Sequence, residues 1–300
     1  MSEYDGRSTF VYLGAPEPAW IERTEVPLFV SYGRLRRLVR KLPRSPQYGT
    51  WALDSRGFKE LEEHGRWTIS AERYMIDILR YDREIGNLCW VSPQDWMCEP
   101  AILARTGLSE LEHQRRSVAS YVTLYRLWED AAERGETNHP ENPIMPVLQS
   151  WTIGGYRQCW ELFHDPDRAT RTLVGRPWPN IDLENVPIIG VGSVCTRQST
   201  AEIRDVFDTI RSCARDPEYL PLHGFGLKAS GLTLIGDCVT SCDSQAWSLH
   251  ARKNDIRLPE CDHARCTYCL KYATRWWLEL LRKQDLPVPL PWFHELVKPG

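Results

Sequence analysis

Along the chain, short runs of apolar residues alternate with longer stretches in which apolar residues recur every three to four positions. This is the rhythm of repeated strand–helix units. The runs Phe10–Leu13, Leu28–Ser31, Trp51–Asp54, Leu88–Val91, Met145–Leu148, Ile188–Val191, Leu222–Phe225 and Val239–Cys242 read as eight strands. Several are apolar almost without a break, as parallel strands covered on both faces are. Ser109-Glu110-Leu111-Glu112 is a capping box opening a helix to about Arg134, with Val118, Tyr121, Val122, Tyr125 and Trp128 on its buried stripe. Ser199-Thr200-Ala201-Glu202 repeats the signal before Ile203, Val206, Phe207 and Ile210, and a further helix from about Ala71 buries Tyr74, Ile78 and Leu79. Polar, proline-bearing stretches at 135–146 and 175–187 read as loops. Eight such units predict an α/β fold, a (β/α)8 TIM barrel over residues 1–256.

From Arg257 the pattern changes. A cysteine cluster leads into an aromatic-rich helix, Tyr268 to Arg282, and then to Pro287, Pro289 and Pro291. Residues 257–300 are therefore expected to form a zinc-binding segment, a helix and an extended tail laid on the barrel.

A barrel of this kind carries its chemistry at the carboxyl ends of its strands. Those ends supply Asp54, Asp95, Gln149 and Asp243, with glycine-rich turns at Gly190–Gly192 and Gly224–Gly226 where backbone can approach a flat ligand closely. Asp243 opens a helical stretch, so a plain N-cap role is its alternative reading. Three acids and an amide at equivalent ends point instead to substitution at a sugar carbon. One carboxylate, Asp243, attacks the anomeric centre; a second moves a proton; the third, with the amide, reads the edge of a heterocycle. Crowding would push the proton affinities of these acids apart.

The total of 300 residues, 42% of them apolar, suits one folded core of this size. A net charge of −3 from 37 basic and 40 acidic residues excludes coating of nucleic acid by bulk charge but leaves room for a local basic surface. The N-terminal residues lack a secretory pattern and no run is long enough to cross a bilayer, so a cytoplasmic protein with no membrane partner is expected. Nothing in the pattern sets an oligomeric state.

Leu53-Asp54-Ser55-Arg56-Gly57-Phe58 resembles the Asp-Ser-Gly-Gly-Phe signature of the tRNA-guanine transglycosylases. Phe29-Val30-Ser31-Tyr32, Ser92-Pro93-Gln94-Asp95-Trp96 and Cys242-Asp243-Ser244-Gln245-Ala246-Trp247-Ser248 look like the DNA-directed branch of that family. The likeness runs, as scattered motifs, from the second strand to the cysteine cluster. It implies an enzyme that exchanges guanine in DNA for a 7-deazapurine base, with 7-cyano-7-deazaguanine the expected form. It also implies the branch's association with phage genomes and genome defence. By the same resemblance Asp54 is the proton-transferring aspartate and Asp243 the covalent nucleophile. Asp95 and Gln149 recognise the base, and Gly190 to Gly192 line its pocket beside Ser55. Arg56 departs from the pattern by standing where the family has a glycine; it could crowd the pocket, or reach a phosphate or the incoming base.

Cys261, His263, Cys266 and Cys269 place four soft ligands in nine residues, a spacing suited to tetrahedral Zn2+ in a closed structural site. The family's structural zinc supports this, with His294 or His250 as fourth ligand should Cys269 prove to be core. Arg34, Arg36, Arg37 and Arg40 lead the densest basic run, expected to grip phosphates while one nucleotide turns out into the pocket. Three readings compete with exchange in DNA: the same exchange on tRNA, a nucleoside hydrolase or glycosylase, and an inactive barrel that binds nucleic acid, for which Arg56 is the best support.

Overall fold

The computed structural model describes residues 9–288 except positions 138, 140 and 228. Eight parallel strands form one sheet: β1 (Phe10–Ala15), β2 (Leu28–Ser31), β3 (Trp51–Asp54), β4 (Leu88–Val91), β5 (Val147–Leu148), β6 (Ile189–Val191), β7 (Leu222–Gly224) and β8 (Ser241–Ser244). Their order is β4-β3-β2-β1-β8-β7-β6-β5, so β1 and β8, the ends of the barrel in sequence, lie side by side. Among the described residues the curled sheet is closed by a bridge between Val91 and Ile144, where Val91 N donates to Pro143 O (2.8 Å) and Met145 N to Val91 O (3.0 Å). The predicted α/β barrel is the fold.

Side chains of successive strand residues point to opposite faces, and this explains why the strands read as unbroken apolar runs. Val11, Leu13, Val30, Leu53, Leu148, Val191 and Cys242 face outward into the main core beneath the helices. Tyr12, Ala52, Trp90, Met145 and Val147 fill the lumen, with Phe10, Phe29 and Phe225 packed against them. Trp90 Nε1 donates to the Tyr12 hydroxyl at 3.1 Å, which satisfies the one polar atom the indole brings into this plug. The lumen is therefore a packed aromatic floor, and whatever projects inward one or two residues further along each strand stands above it.

The expected helices are present at Ala71–Ile85, Glu110–Glu133 and Thr200–Arg211, each with a serine at the N-cap accepting from the third backbone N–H. The last strand differs from expectation. It runs Ser241–Ser244 rather than Val239–Cys242, so Asp243 lies inside it, and the helix Ala246–Lys253 is capped by Gln245. The N-cap reading of Asp243 is thereby overturned. Pairing of Tyr12 with Asp243 and Leu13 with Ser244 in β1 holds this extra turn of strand extended.

The helix Leu270–Lys283 lies against β1, where the buried Trp277 donates its indole N–H to Val11 O at 2.8 Å. Pro289, Pro291 and His294 lie outside the described residues. No helix among the described residues is long and apolar enough to cross a membrane. Because Trp277 joins that helix to the main core, Trp277→Ala should lower unfolding stability by about 3–5 kcal/mol in a single transition. Denaturant titration followed by circular dichroism reads this; a loss below about 1 kcal/mol would mean the helix is not integral to the fold.

Candidate active site

Above the aromatic floor opens a cavity of about 620 Å3, lined at its base by Phe29 and Phe225. Asp54, Ser55, Asp95, Gln149, Gly192 and Asp243 all line it, together with Arg56, Arg34 and Arg37. They meet there because each strand's last inward position points the same way: Asp54 follows Ala52 by two, Gly192 follows Gly190, and Asp243 follows Ser241. Gly190 sits deeper than anticipated and packs against Phe225, Met145 and Val147 instead of the cavity wall. Arg36 is turned toward Glu60 (3.9 Å), and Arg40 is exposed and absent from the lining.

Each acid is held differently. Asp54 Oδ1 accepts the Arg56 backbone N–H at 3.1 Å, and the Ser31 hydroxyl also bonds its carboxylate. Burial nevertheless pushes Asp54 up to about 6, helped by the charge of Asp243. Asp95 Oδ2 accepts from Gln149 Nε2 at 2.5 Å and Oδ1 from the Ser55 hydroxyl at 3.4 Å, while burial pushes the carboxyl up to about 7. Gln149 Oε1 in turn accepts from the Ser193 hydroxyl (2.7 Å), whose oxygen also lies 3.0 Å from Glu99 Oε2. Burial raises Glu99 as well. The amide of Gln149 is thus clamped at both ends, and a Cβ at Gly192 would overlap it. Glycine at 192 keeps that wall open.

Asp243 Oδ1 accepts the Gly226 backbone N–H at 2.8 Å, which the positive φ of Gly226 (60°) aims across from the turn after β7. His223, fully buried on β7, brings Nε2 to 3.4 Å from the same oxygen.

Arg56 adopts φ 69°, the left-handed region that suits a glycine. Its guanidinium bonds Glu60 (2.7 Å) and Glu63 (2.9 Å) one and two turns along the following helix, and its aliphatic stem crosses Gly33. It forms part of the rim and leaves the interior clear. Arg34 and Arg37 also line the cavity, and Lys59 pairs with Glu62.

Sequence reasoning missed Glu99, Ser193 and His223, and marked Gly226 only as part of a glycine-rich turn facing a flat ligand, not as a partner of Asp243. The available signals were a histidine in the apolar run Leu222–Phe225 and an acid four residues beyond Asp95.

Away from the cavity, the ligand atoms of Cys261, His263, Cys266 and Cys269 all lie within 4.8 Å of one another. Cys261 Sγ is 3.7 Å from Cys269 Sγ, and His263 Nε2 is 3.3 Å from Cys266 Sγ. Tetrahedral edges around zinc are about 3.8 Å between thiolates and about 3.5 Å between thiolate and imidazole, given bond lengths near 2.3 and 2.0 Å. The group could hold a metal ion, and zinc is compatible with its donors. Burial and the neighbouring thiols push Cys261 up to about 11, a cost that a cation among the sulfurs relieves. His250 is engaged elsewhere, through Nδ1 with the Tyr272 hydroxyl at 2.6 Å.

Residues 7–290 match the model of the family DpdA, described as DeoxyPurine in DNA protein A. No curated protein matches the chain.

The raised Asp95 has a stability signature. Its folded value lies above the unfolded one, so its contribution is complete below about pH 4 and is lost as pH rises through about 7. Asp95→Asn, which can still accept from Gln149, should therefore be more stable than the parent at pH 8 by a few kcal/mol, on the order of the linkage term, and no more stable at pH 4. Melting temperatures across that range decide it; a constant difference would remove the buried, protonatable carboxyl.

Proposed function

The chain belongs to the DpdA family, and on that premise we propose that it exchanges guanine in DNA for a 7-deazaguanine derivative, 7-cyano-7-deazaguanine being the incoming base, through a glycosyl-aspartate intermediate. The observation that carries this reading is the convergence of Asp54, Asp95, Gln149 and Asp243 on one cavity, whose volume falls in the range of about 300–1,000 Å3 that encloses small ligands.

A deoxyguanosine turned out of the duplex enters over Phe29 and Phe225, with its phosphates gripped by Arg34 and Arg37. Asp95 accepts the N–H groups of the purine edge, and Gln149 and the backbone at Gly192 meet the neighbouring positions. The Asp243 carboxylate bonds to C1′ as the C1′–N9 bond breaks, and the electron pair leaves with guanine. Asp54, near its midpoint at about pH 6, gives the departing base its proton. The incoming deazapurine returns that proton from its N9–H to Asp54, its N9 attacks C1′, and Asp243 departs as carboxylate. Protons and electrons balance over the cycle, and no outside reagent is consumed.

The family description favours DNA over tRNA. The tie of Arg56 to Glu60 and Glu63 takes away the main support for an inactive barrel, because the pocket stays open. Cys261, His263, Cys266 and Cys269 would hold zinc with four protein ligands, and a site so filled would staple the C-terminal segment and not take part in the reaction.

Duplex DNA with labelled guanine, incubated with and without a deazapurine acceptor, tests the reaction. The parent should lose label only with acceptor present; release without acceptor would identify a hydrolase. Asp243→Ala should form no covalent adduct, and Asp54→Asn should slow exchange by about 100-fold or more. Exchange by Asp243→Ala would end the assignment. Cys266→Ser should lose close to one equivalent of zinc and several degrees of melting temperature; unchanged metal content in that variant would refute the staple.

A further inference from the structure

His223 is a buried side chain at the site that the proposed reaction leaves without a task. Its ring is fully buried and set among four aromatic rings, with centroids 4.6 Å from Trp90, 4.8 Å from Phe225 and 6.1 Å from both Tyr12 and Phe29. That cage fixes the plane of the imidazole. Among the described residues, two polar groups stand close to the ring nitrogens. Nδ1 meets the Ser241 hydroxyl at 2.8 Å, and Nε2 has no hydrogen-bond partner but lies 3.4 Å from Asp243 Oδ1.

Proton counting then selects the tautomer. Were Nδ1 to carry the hydrogen and donate to Ser241, the lone pair of Nε2 would face a carboxylate oxygen in a site walled by hydrocarbon, two acceptors without a proton between them. With Ser241 donating to Nδ1, the hydrogen sits on Nε2, the nitrogen that lies 3.4 Å from Asp243 Oδ1. Ser241 and Asp243 alternate on the same face of β8, and His223 pairs in register with Ser241 across β7, so the backbone itself delivers this arrangement.

We infer that His223 is a positioning residue for Asp243: its Nε2–H and the Gly226 N–H together hold Oδ1, which leaves Oδ2 as the oxygen that bonds to the sugar carbon. In the ester the held oxygen is the carbonyl oxygen. The same two donors take up the charge that returns to the carboxylate when the second base displaces it, so both halves of the exchange use them. The inference rests on the base-exchange reading of this site.

His223→Phe keeps the ring and its packing and removes the donor. It should cut kcat for exchange by about 100-fold, the usual effect of losing one such donor, while KM for the incoming base changes less than about twofold. His223→Gln can return an N–H toward Asp243 and should recover exchange to within about tenfold of the parent. Full activity in His223→Phe, or a folded His223→Gln no better than His223→Phe, overturns the inference. So does a parallel rise in KM, which would place the defect in base binding. Imidazole nitrogen shifts, assigned by comparison with His223→Phe, read the tautomer with no turnover required. A hydrogen on Nε2 is expected, and a neutral ring carrying it on Nδ1 overturns the assignment. A parent protein that exchanges no base would count against the reaction itself and leave the tautomer result standing.

Discussion

Carboxyl groups placed over a hydrocarbon floor must each find donors or keep a proton, because an unpaired charge in such a place costs several kcal/mol. The mouth of this barrel satisfies that demand in three ways. Asp243 takes a backbone N–H from the turn after β7. Asp95 takes an amide whose other end is tied through Ser193 to Glu99. Asp54 takes one backbone N–H and a serine, and burial still pushes it up to about 6. Much of what is unusual in the local sequence follows from these needs: glycine at 192 and 226, serine at 31, 55, 193 and 241, and an amide at 149.

The different solutions separate the groups chemically. A carboxyl clamped by an amide and a hydroxyl is rigid and suits recognition. Asp54, raised to about 6, and Asp95, raised to about 7, both have their two forms present under ordinary conditions; Asp54, held by a backbone N–H and a serine and not by an amide clamp, suits proton traffic. The third, Asp243, is held through Oδ1 by the Gly226 N–H. Three residues of nearly the same kind are thus distinguished by their surroundings, and those surroundings come from five different strands.

The barrel and the acids were legible in the sequence because they follow from short-range periodicity. Alternation along a strand announces which residues face inward, and Asp54, Asp95 and Gln149 fall at the ends of runs that are easy to see. The group of Cys261, His263, Cys266 and Cys269 was legible for the same reason, its four donors lying within nine residues. What stayed hidden was partnership across the chain. Gly226 and His223 reach Asp243 from another strand, and Ser193 and Glu99 are joined although 94 residues apart. Strand β8 was set two residues early because Asp243-Ser244 has little apolar character of its own; its extended shape is imposed by β1. Arg56 was open to several roles until Glu60 and Glu63 were seen to hold it.

Among the described residues, the closure of the sheet rests on the bridge between Val91 and Ile144. Asp95 stands just past one lip of that seam and Gln149 just past the other, so their separation is governed by the least reinforced join in the barrel. Residues 143–146, on the far side of that bridge from Val91, thereby lie in the backbone path that leads to Gln149. Evolution could retune ligand size in this scaffold by loosening or tightening a suture, with every contacting side chain left untouched.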